Sequence, residues 1–481
     1  MIRVPLLLVT LAGLVSVANA FESVDDSSQW AMTGLSIVDV ETGEITPNQA
    51  ILIQNGVIRA VGDALSVLPE SDLLVVDHRG RYVIPGLWDM HVHLRGGPRL
   101  IDSNERWLQQ YLGFGITAVR DAGGDLANSV LHWKAEVAEG YLLGPRIFSA
   151  LRKIDGAGDR QSGSIPVDSS GAIDKALDNL EFAGADFVKI YDFSLPRKLH
   201  LLAVSKSESR GLRTSAHIPP RVSIEDAINA GLDSIEHSFY LVKAANPDDR
   251  RLAKLFEVGD RADYVAYFRN LAAIGDDVDL QEAHRVFRLM VRKGTAVVST
   301  LEIERLTLDY LSGAPIDDPR RDETPKLILD THDRSKEFLT SFADELLPAE
   351  RKIVQQTRRL LKIASDDGVM ILAGSDTGTN NLFLYPGDSL HAEMEAMVDI
   401  GMSPLQALQS ATTNPARWMR LHESFGSISP GFVADLVILE SSPLSDISNT
   451  RTIVGAVQQG VYFDGGKLEE LRQLPRVKAS K

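Results

Sequence analysis

The stretch Gly86–Leu94, GLWDMHVHL, follows the apolar run RYVIPG and carries two histidines, His91 and His93, two positions apart. Side chains two apart on a strand point to the same side, so both imidazoles leave one face at the end of a buried strand. Neutral imidazole nitrogen is a common ligand of zinc and similar ions. On these residues alone, a shared metal ion and a hydrogen-bonded pair of core histidines stand level. Further ligands elsewhere in the chain must decide between them.

Working outward, the chain after this stretch alternates helix and strand. A helix over Arg106 to Phe114 stops at Gly115 before ITAVRDAGG, and later helices stop at Gly184, Gly211 and Gly231 before ADFVKIYD, LRTSAHIPP and LDSIEHS. Glycine just past a helix end is the usual stop, and short β-rich runs without polar alternation suit parallel strands covered on both faces. Leu280 to Arg292 has helical spacing, stops at Gly294 and leads to TAVVSTL; Arg359 to Ala364 leads to GVMILAGSD. With VIPGLWDMHVH and PRIFSAL these make eight strands separated by helices. That predicts an α/β fold, a closed (β/α)8 TIM barrel over residues 85–421.

Strand-like text with turn signals also runs from Trp30 to Val83 and returns between Phe432 and Gly466. One small β-domain built from residues 21–84 and 422–481 is therefore expected. Leu241 to Asp279 and Glu302 to Lys352 are long, helical and charged, and both leave the strand ends where a barrel keeps its active site. At least one of them reads as a lid, or both as solvated decoration.

Residues 1–20 place Arg3 before an uncharged apolar run, Val4 to Val17, and end on Ala18-Asn19-Ala20. This is the layout of a cleavable secretory signal peptide, with an apolar core too short to span a bilayer comfortably. A mature chain beginning near Phe21, secreted or periplasmic and without stable membrane insertion, is the expectation. The chain has no cysteine, so any metal site must use histidine, carboxylate or something rarer. A net charge of -16 with no basic stripe argues against nucleic acid as a partner.

Catalytic groups in a barrel come from the C-terminal ends of several strands. Those ends read, in order, His91 and His93, Lys189, His217, His237 and Asp376. Lys189 lies in the apolar run FVKIY, where desolvation disfavours an ammonium. It is either salt-bridged inside the barrel or neutral, and a neutral amine can take up carbon dioxide as a carbamate, a bidentate anionic ligand. His217 and His237 close successive strands and should be neighbours at the barrel mouth. Asp376 closes the eighth strand beside the first; in isolation it would be a local backbone acceptor, but its register with the histidines suits a metal ligand and proton shuttle.

Tyr191 and Tyr240 follow ligand-bearing strands as candidate substrate contacts, with ordinary packing as their alternative. Arg120 and Asp121 read as a structural pair in the rim, and His391 as a capping or supporting residue. His78, His132, His200, His284, His332 and His422 read as structural or solvent-exposed. Gly156, Gly158 and Gly163 follow the third strand without the spacing of a nucleotide loop.

VIPGLWDMHVHL, GITAVRDAGG, GADFVKIY, AHIPP, GLDSIEHS, LAGSDTG, SPLQALQSATTNPAR and GSISPGFVADLVIL together resemble the amidohydrolase superfamily, in its prolidase-like, imidazolonepropionase-related branch. The resemblance runs from about Leu35 to Gly466. It implies a metal-capped barrel with a small β-sandwich made from both terminal segments, and two divalent ions, commonly zinc. Carried over by motif, His91, His93 and Asp376 would hold the first ion and His217 and His237 the second. Lys189, carboxylated on its side-chain nitrogen, would bridge them. A shared hydroxide would attack the carbonyl, with Asp376 carrying the proton to the leaving amine.

The reaction so implied is cleavage of a C–N bond in a small substrate such as a dipeptide or N-acyl amino acid. His217 is followed by Ile218-Pro219-Pro220, where peptidase members often carry a second histidine or a short polar run, which puts a dipeptide in doubt. The same core could open a cyclic amide, imide or lactone, or deaminate a ring. A decayed, non-catalytic scaffold would lack ligands, and all six are present. The choice among zinc, manganese and iron stays open, as does assembly into a homo-oligomer.

Overall fold

The computed structural model describes residues 29–473 apart from 69–72, 159–160, 193, 255–263, 277, 316–317, 319, 322–323 and 380–382. The leader expected over residues 1–20 lies outside the described residues.

The described residues begin with β1 (Gln29–Val38), β2 (Ile45–Gln54), β3 (Val57–Gly62), β4 (Leu74–Asp77) and β5 (Tyr82–Pro85). Near the other end lie β17 (Leu436–Leu439), β18 (Ile453–Gln458) and β19 (Val461–Asp464), and all eight join one sheet in the order β19-β18-β17-β5-β1-β2-β3, with β4 on β1. The seam is antiparallel, Leu436 opposite Pro85 and Leu439 opposite Tyr82. Bulges in β1 between Met32 and Ile37 let its first half pair with β4 and its second half with β5. The curled sheet encloses Trp30, Met32, Leu35, Ile51, Ile58, Leu436 and Val457. Both ends of the chain thus build the small β-domain.

Between them runs the barrel: β6 (Leu87–His93), β7 (Ile116–Asp121), β8 (Arg146–Ser149), β11 (Val188–Ile190), β12 (Thr214–Ala216), β13 (Ser234–Glu236), β14 (Ala296–Val298) and β15 (Ile371–Leu372). Neighbouring barrel strands pair in parallel. The ring closes where the Met90 amide donates to the Ala373 carbonyl and the Asp186 amide to Ser149. The eighth strand continues past a kink as β16 (Thr377–Gly378), paired with β6. The glycine-bearing stretch after the third barrel strand is not a plain loop: β9 (Lys153–Gly156) pairs with β11, and β10 (Ser164–Val167) with β9. Gly184 and Gly294 end their helices in the left-handed region, φ 79° and 72°, which glycine adopts without steric cost.

Leu87, Val119, Ile147, Val188, Ile235, Val297 and Ile371 pack outward against the helices, while Trp88, Met90, Phe187, Val298, Leu372 and Trp418 fill the barrel floor. The two insertions meet: Phe268 from the first packs with Tyr310, Leu339 and Leu346 of the second and with Phe383 beyond the eighth strand. Among the described residues no helix is long and apolar enough to cross a membrane.

Helix Ala343–Asp366 carries Glu350, which is 5% exposed and pushed up to about 8 by burial. Folding raises this carboxyl above its ordinary 4.5, so its contribution is fully present below that value and is lost as pH rises through about 8. Melting at about pH 5 and about pH 9 should show wild type losing on the order of a few kcal/mol more than Glu350→Gln. Equal losses would exclude Glu350 as the group responsible.

Candidate active site

The site is stacked upward from the barrel floor. The Arg120 guanidinium lies over the Trp418 and Phe187 rings, 4.5 and 5.0 Å from their centroids. It donates to both oxygens of Glu236 at 2.8 Å and to the Met90 carbonyl at 2.6 Å. Glu236, fully buried, also accepts from Ser215 and Ser234 and faces His91 Nδ1 at 2.5 Å. Burial works against its ionised form, but Arg120, Lys189 and His91 together hold its carboxyl well below the ordinary range. Arg120 therefore does not pair with Asp121 in the rim as expected. Asp121 instead accepts from the Leu94 and Gly123 amides and the Ser149 hydroxyl, fastening the mouths of β6, β7 and β8.

Above Glu236 the strand-end residues converge. His91 Nε2 and His93 Nε2 are 3.3 Å apart, with Asp376 Oδ1 at 3.5 and 3.3 Å from them. His237 Nε2 lies 3.1 Å from His217 Nε2, and the His91 and His237 rings are 4.9 Å apart. Ligand atoms of His91, His237 and Asp376 all lie within 4.8 Å of one another. Each ring is oriented through Nδ1: His91 by Glu236, His93 by the Gly123 carbonyl at 3.0 Å, His217 by Asp192 at 3.0 Å and His237 by Thr300 at 2.9 Å. An outer hydrogen bond of this kind fixes tautomer and aim in metal-binding histidines. Burial holds all four below the ordinary histidine value, so they are neutral at neutral pH. Burial opposes ionisation of Asp376, while the facing His91, His93 and His237 rings, to the extent that they carry protons, hold it well below the usual carboxylate range.

Three strand ends depart from extended geometry: His237, Thr300 and Asp376 have φ of 74°, 50° and 57°. Positive φ is costly for residues with a side chain and clusters at functional sites. At His237 the turn breaks strand alternation, so Glu236 and His237, adjacent in sequence, both serve the interior. Asp89 steadies the other side, accepting from the Ser375 amide at 2.9 Å and hydroxyl at 2.5 Å next to Asp376.

These residues fit divalent ions. His91 and His93 donate through Nδ1 to acceptors, which leaves a lone pair on each Nε2, and two lone pairs 3.3 Å apart repel unless a cation lies between them. Lys189 is fully buried, its Nζ has no hydrogen-bond partner among the described residues, and burial pushes it down to about 8 against the pull of Glu236. Among the described residues no carboxylate forms a salt bridge with this lysine.

The Tyr240 hydroxyl donates to Asp192 at 2.9 Å, so it props the acceptor of His217. The Tyr191 ring lies 4.3 Å from His217. Gly156 has no room for a side chain, since a Cβ there would sit 1.9 Å from the Ser194 carbonyl and push away the turn after Asp192. His200 donates from Nε2 to the His217 carbonyl at 2.9 Å and so supports the site from its helix. His391 is remote, bridging Thr450 and the Phe114 carbonyl. Arg120, Asp192, Glu236 and Thr300 were absent from the ligand set read from the sequence. For Asp192 and Glu236 a signal existed: an acid within three residues of a ligand on a strand with no polar alternation.

Strand ends that bring imidazoles, a carboxylate and a buried lysine together suit a metal-dependent hydrolase. The chain belongs to the amidohydrolase family, whose model matches residues 82–465. It is 24% identical to the ochratoxinase of Aspergillus niger over 88% of this chain and 84% of that one. It is 23% identical to the imidazolonepropionase of Klebsiella pneumoniae subsp. pneumoniae over 82% and 86%. A solved Xaa-Pro dipeptidase with methionine bound in its active site has the same fold, with TM-score 0.66 at 20% identity, covering 91% of this chain and 100% of that one. The protein is thus an enzyme, a hydrolase of C–N bonds in a family that binds divalent metals.

Proposed function

We propose that this chain is an exported, binuclear amidohydrolase that cleaves the amide of a small substrate such as an N-acyl amino acid or dipeptide. The observation that carries the reading is the pair of inward Nε2 lone pairs at His91 and His93, beside Asp376 and the unpartnered Lys189 nitrogen. His91, His93 and Asp376 would hold one ion, His217 and His237 another, and Lys189 as a carbamate would bridge them. When bound, the ions supply Lewis-acid polarisation of the carbonyl and make water a better nucleophile.

The chain's own residues do the rest. Glu236, the Gly123 carbonyl, Asp192 and Thr300 keep the four rings aimed inward. Asp376, ionised and facing the same space, takes a proton at a carboxylate oxygen and returns it to the leaving nitrogen. The relatives' printed activities, ochratoxinase and Xaa-Pro dipeptidase among them, support an amide substrate. The signal-like leader supports export, and the intact mass of purified protein should correspond to a chain starting near Phe21.

Elemental analysis of wild type and Lys189→Ala grown in one medium tests the centre. About two ions per wild-type chain, with substantial loss in the variant, is expected. One ion in both proteins would rule out the lysine bridge and favour single-metal deamination, and no metal in folded protein would end the reading.

A further inference from the structure

Thr300 stands where a helix begins, just past β14, and its side chain makes no capping bond to that helix, Leu301–Leu311. A threonine so placed ordinarily has extended backbone and turns its hydroxyl onto an amide of the first turn. Here φ is 50° and the hydroxyl lies against His237 Nδ1 at 2.9 Å. For a β-branched residue that backbone is strained, and such strain persists only where neighbouring groups hold it. Glu393 is such a group. It is fully buried on helix Asp388–Asp399, beyond the eighth strand, and accepts from the Leu301 amide at 2.8 Å and the Glu302 amide at 2.9 Å. Those are the first two donors that the helix itself leaves unsatisfied. Glu393 also accepts from the Ser299 hydroxyl. On the other side, the Ser299 carbonyl accepts from the Ser238 amide at 3.2 Å and the Ser238 hydroxyl at 2.6 Å. Residue 300 is thus pinned from both directions, by Glu393 ahead and by the neighbour of His237 behind.

We infer that Glu393 is a positioning residue for the metal centre, capping the helix in place of Thr300 and so freeing the Thr300 hydroxyl to aim His237. The proposal rests on the binuclear reading and deepens it, because it ties the helix after the eighth strand to the ion held by His217 and His237. The two uses of the hydroxyl exclude each other: self-capping needs extended backbone at residue 300, and contact with His237 is made from left-handed backbone. Without Glu393 the first-turn amides are buried and unsatisfied, which is costly. Thr300 then takes over the cap, its strain is released, and His237 loses the partner that orients it. Glu393 touches neither the imidazole nor the space in front of it, so its effect on the site passes through Thr300.

The test is calorimetric titration of zinc into metal-free wild type, Glu393→Leu, Thr300→Val and the double variant, with crystal structures of metal-free wild type and Glu393→Leu. Each single variant should bind one of the two ions about 10–100-fold more weakly, the usual effect of losing an orienting partner. The double variant should be no weaker than the worse single one, since both substitutions break one chain of contacts. Glu393→Gln, left with one accepting oxygen, should weaken the same ion by about threefold to tenfold. Crystals of Glu393→Leu should show Thr300 in extended backbone with its hydroxyl on its own helix. Wild-type zinc affinity in a folded Glu393 variant, or losses that add in the double variant, would overturn the proposal and leave Glu393 as a helix cap alone. Should melting show Glu393→Leu misfolded, Glu393→Gln replaces it in every comparison. A wild type that takes up no zinc overturns the metal reading, and the crystals then decide separately: Thr300 turned onto its helix upholds the positioning role, and Thr300 unmoved against His237 overturns it.

Discussion

Asp376→Asn is expected to lower kcat on an amide substrate by about 10²–10⁴-fold, the usual range for losing a positioned general acid–base, with much less change in KM. The substitution is mild in shape. Residue 376 has φ 57°, a region asparagine enters more readily than most residues, and its amide hydrogen bond to the His91 carbonyl at 2.7 Å is unaffected by the side chain. What changes is that a buried carboxylate facing three imidazoles becomes a neutral amide unable to carry a proton. Metal content should be measured on the same preparation, because Asp376 is also proposed as a ligand. Activity falling only in proportion to metal would assign the loss to ligation, and a variant keeping a tenth of wild-type kcat would remove Asp376 as the proton carrier.

Why some of this site was legible and some was not follows from how each residue is positioned. The eight strands could be counted because each is a short apolar run beside a glycine stop, and the proposed ligands could be listed because they sit where those runs end. Glu236 was hidden by the strand rule itself: beside an inward His237 it should point outward, and only the left-handed backbone at His237 lets both serve the interior. A register shift in β6 between Asp89 and Val92 similarly lets Met90 line the floor while His91 and His93 face the mouth. Arg120 looked like a rim residue because its partner lies 116 positions away. The extra strands β9 and β10 are four residues each, of ordinary composition, with β9 pairing on the edge of β11 and β10 on β9. The contact of Phe268 with the second insertion joins segments with no shared local signal.

Removing Glu236 should damage folding and metal binding together, and the two effects can be separated. Glu236→Ala leaves the Arg120 guanidinium buried without a counter-charge, which costs about 3–5 kcal/mol when one partner of a buried pair is lost. It also frees His91 Nδ1 from its 2.5 Å acceptor, and loss of such an orienting partner weakens metal affinity by about 10–100-fold. The double variant Arg120→Met with Glu236→Leu replaces both charges by apolar side chains over the Phe187 and Trp418 floor, an exchange that is often neutral for stability. Denaturant melts should therefore show a large loss in Glu236→Ala and most of it regained in the double variant, while metal content stays low in both. A double variant that recovers its metal would show that His91 is aimed by its strand alone. A single variant as stable as wild type would show that Arg120 finds other acceptors in the barrel, with the Met90 carbonyl at 2.6 Å the nearest at hand.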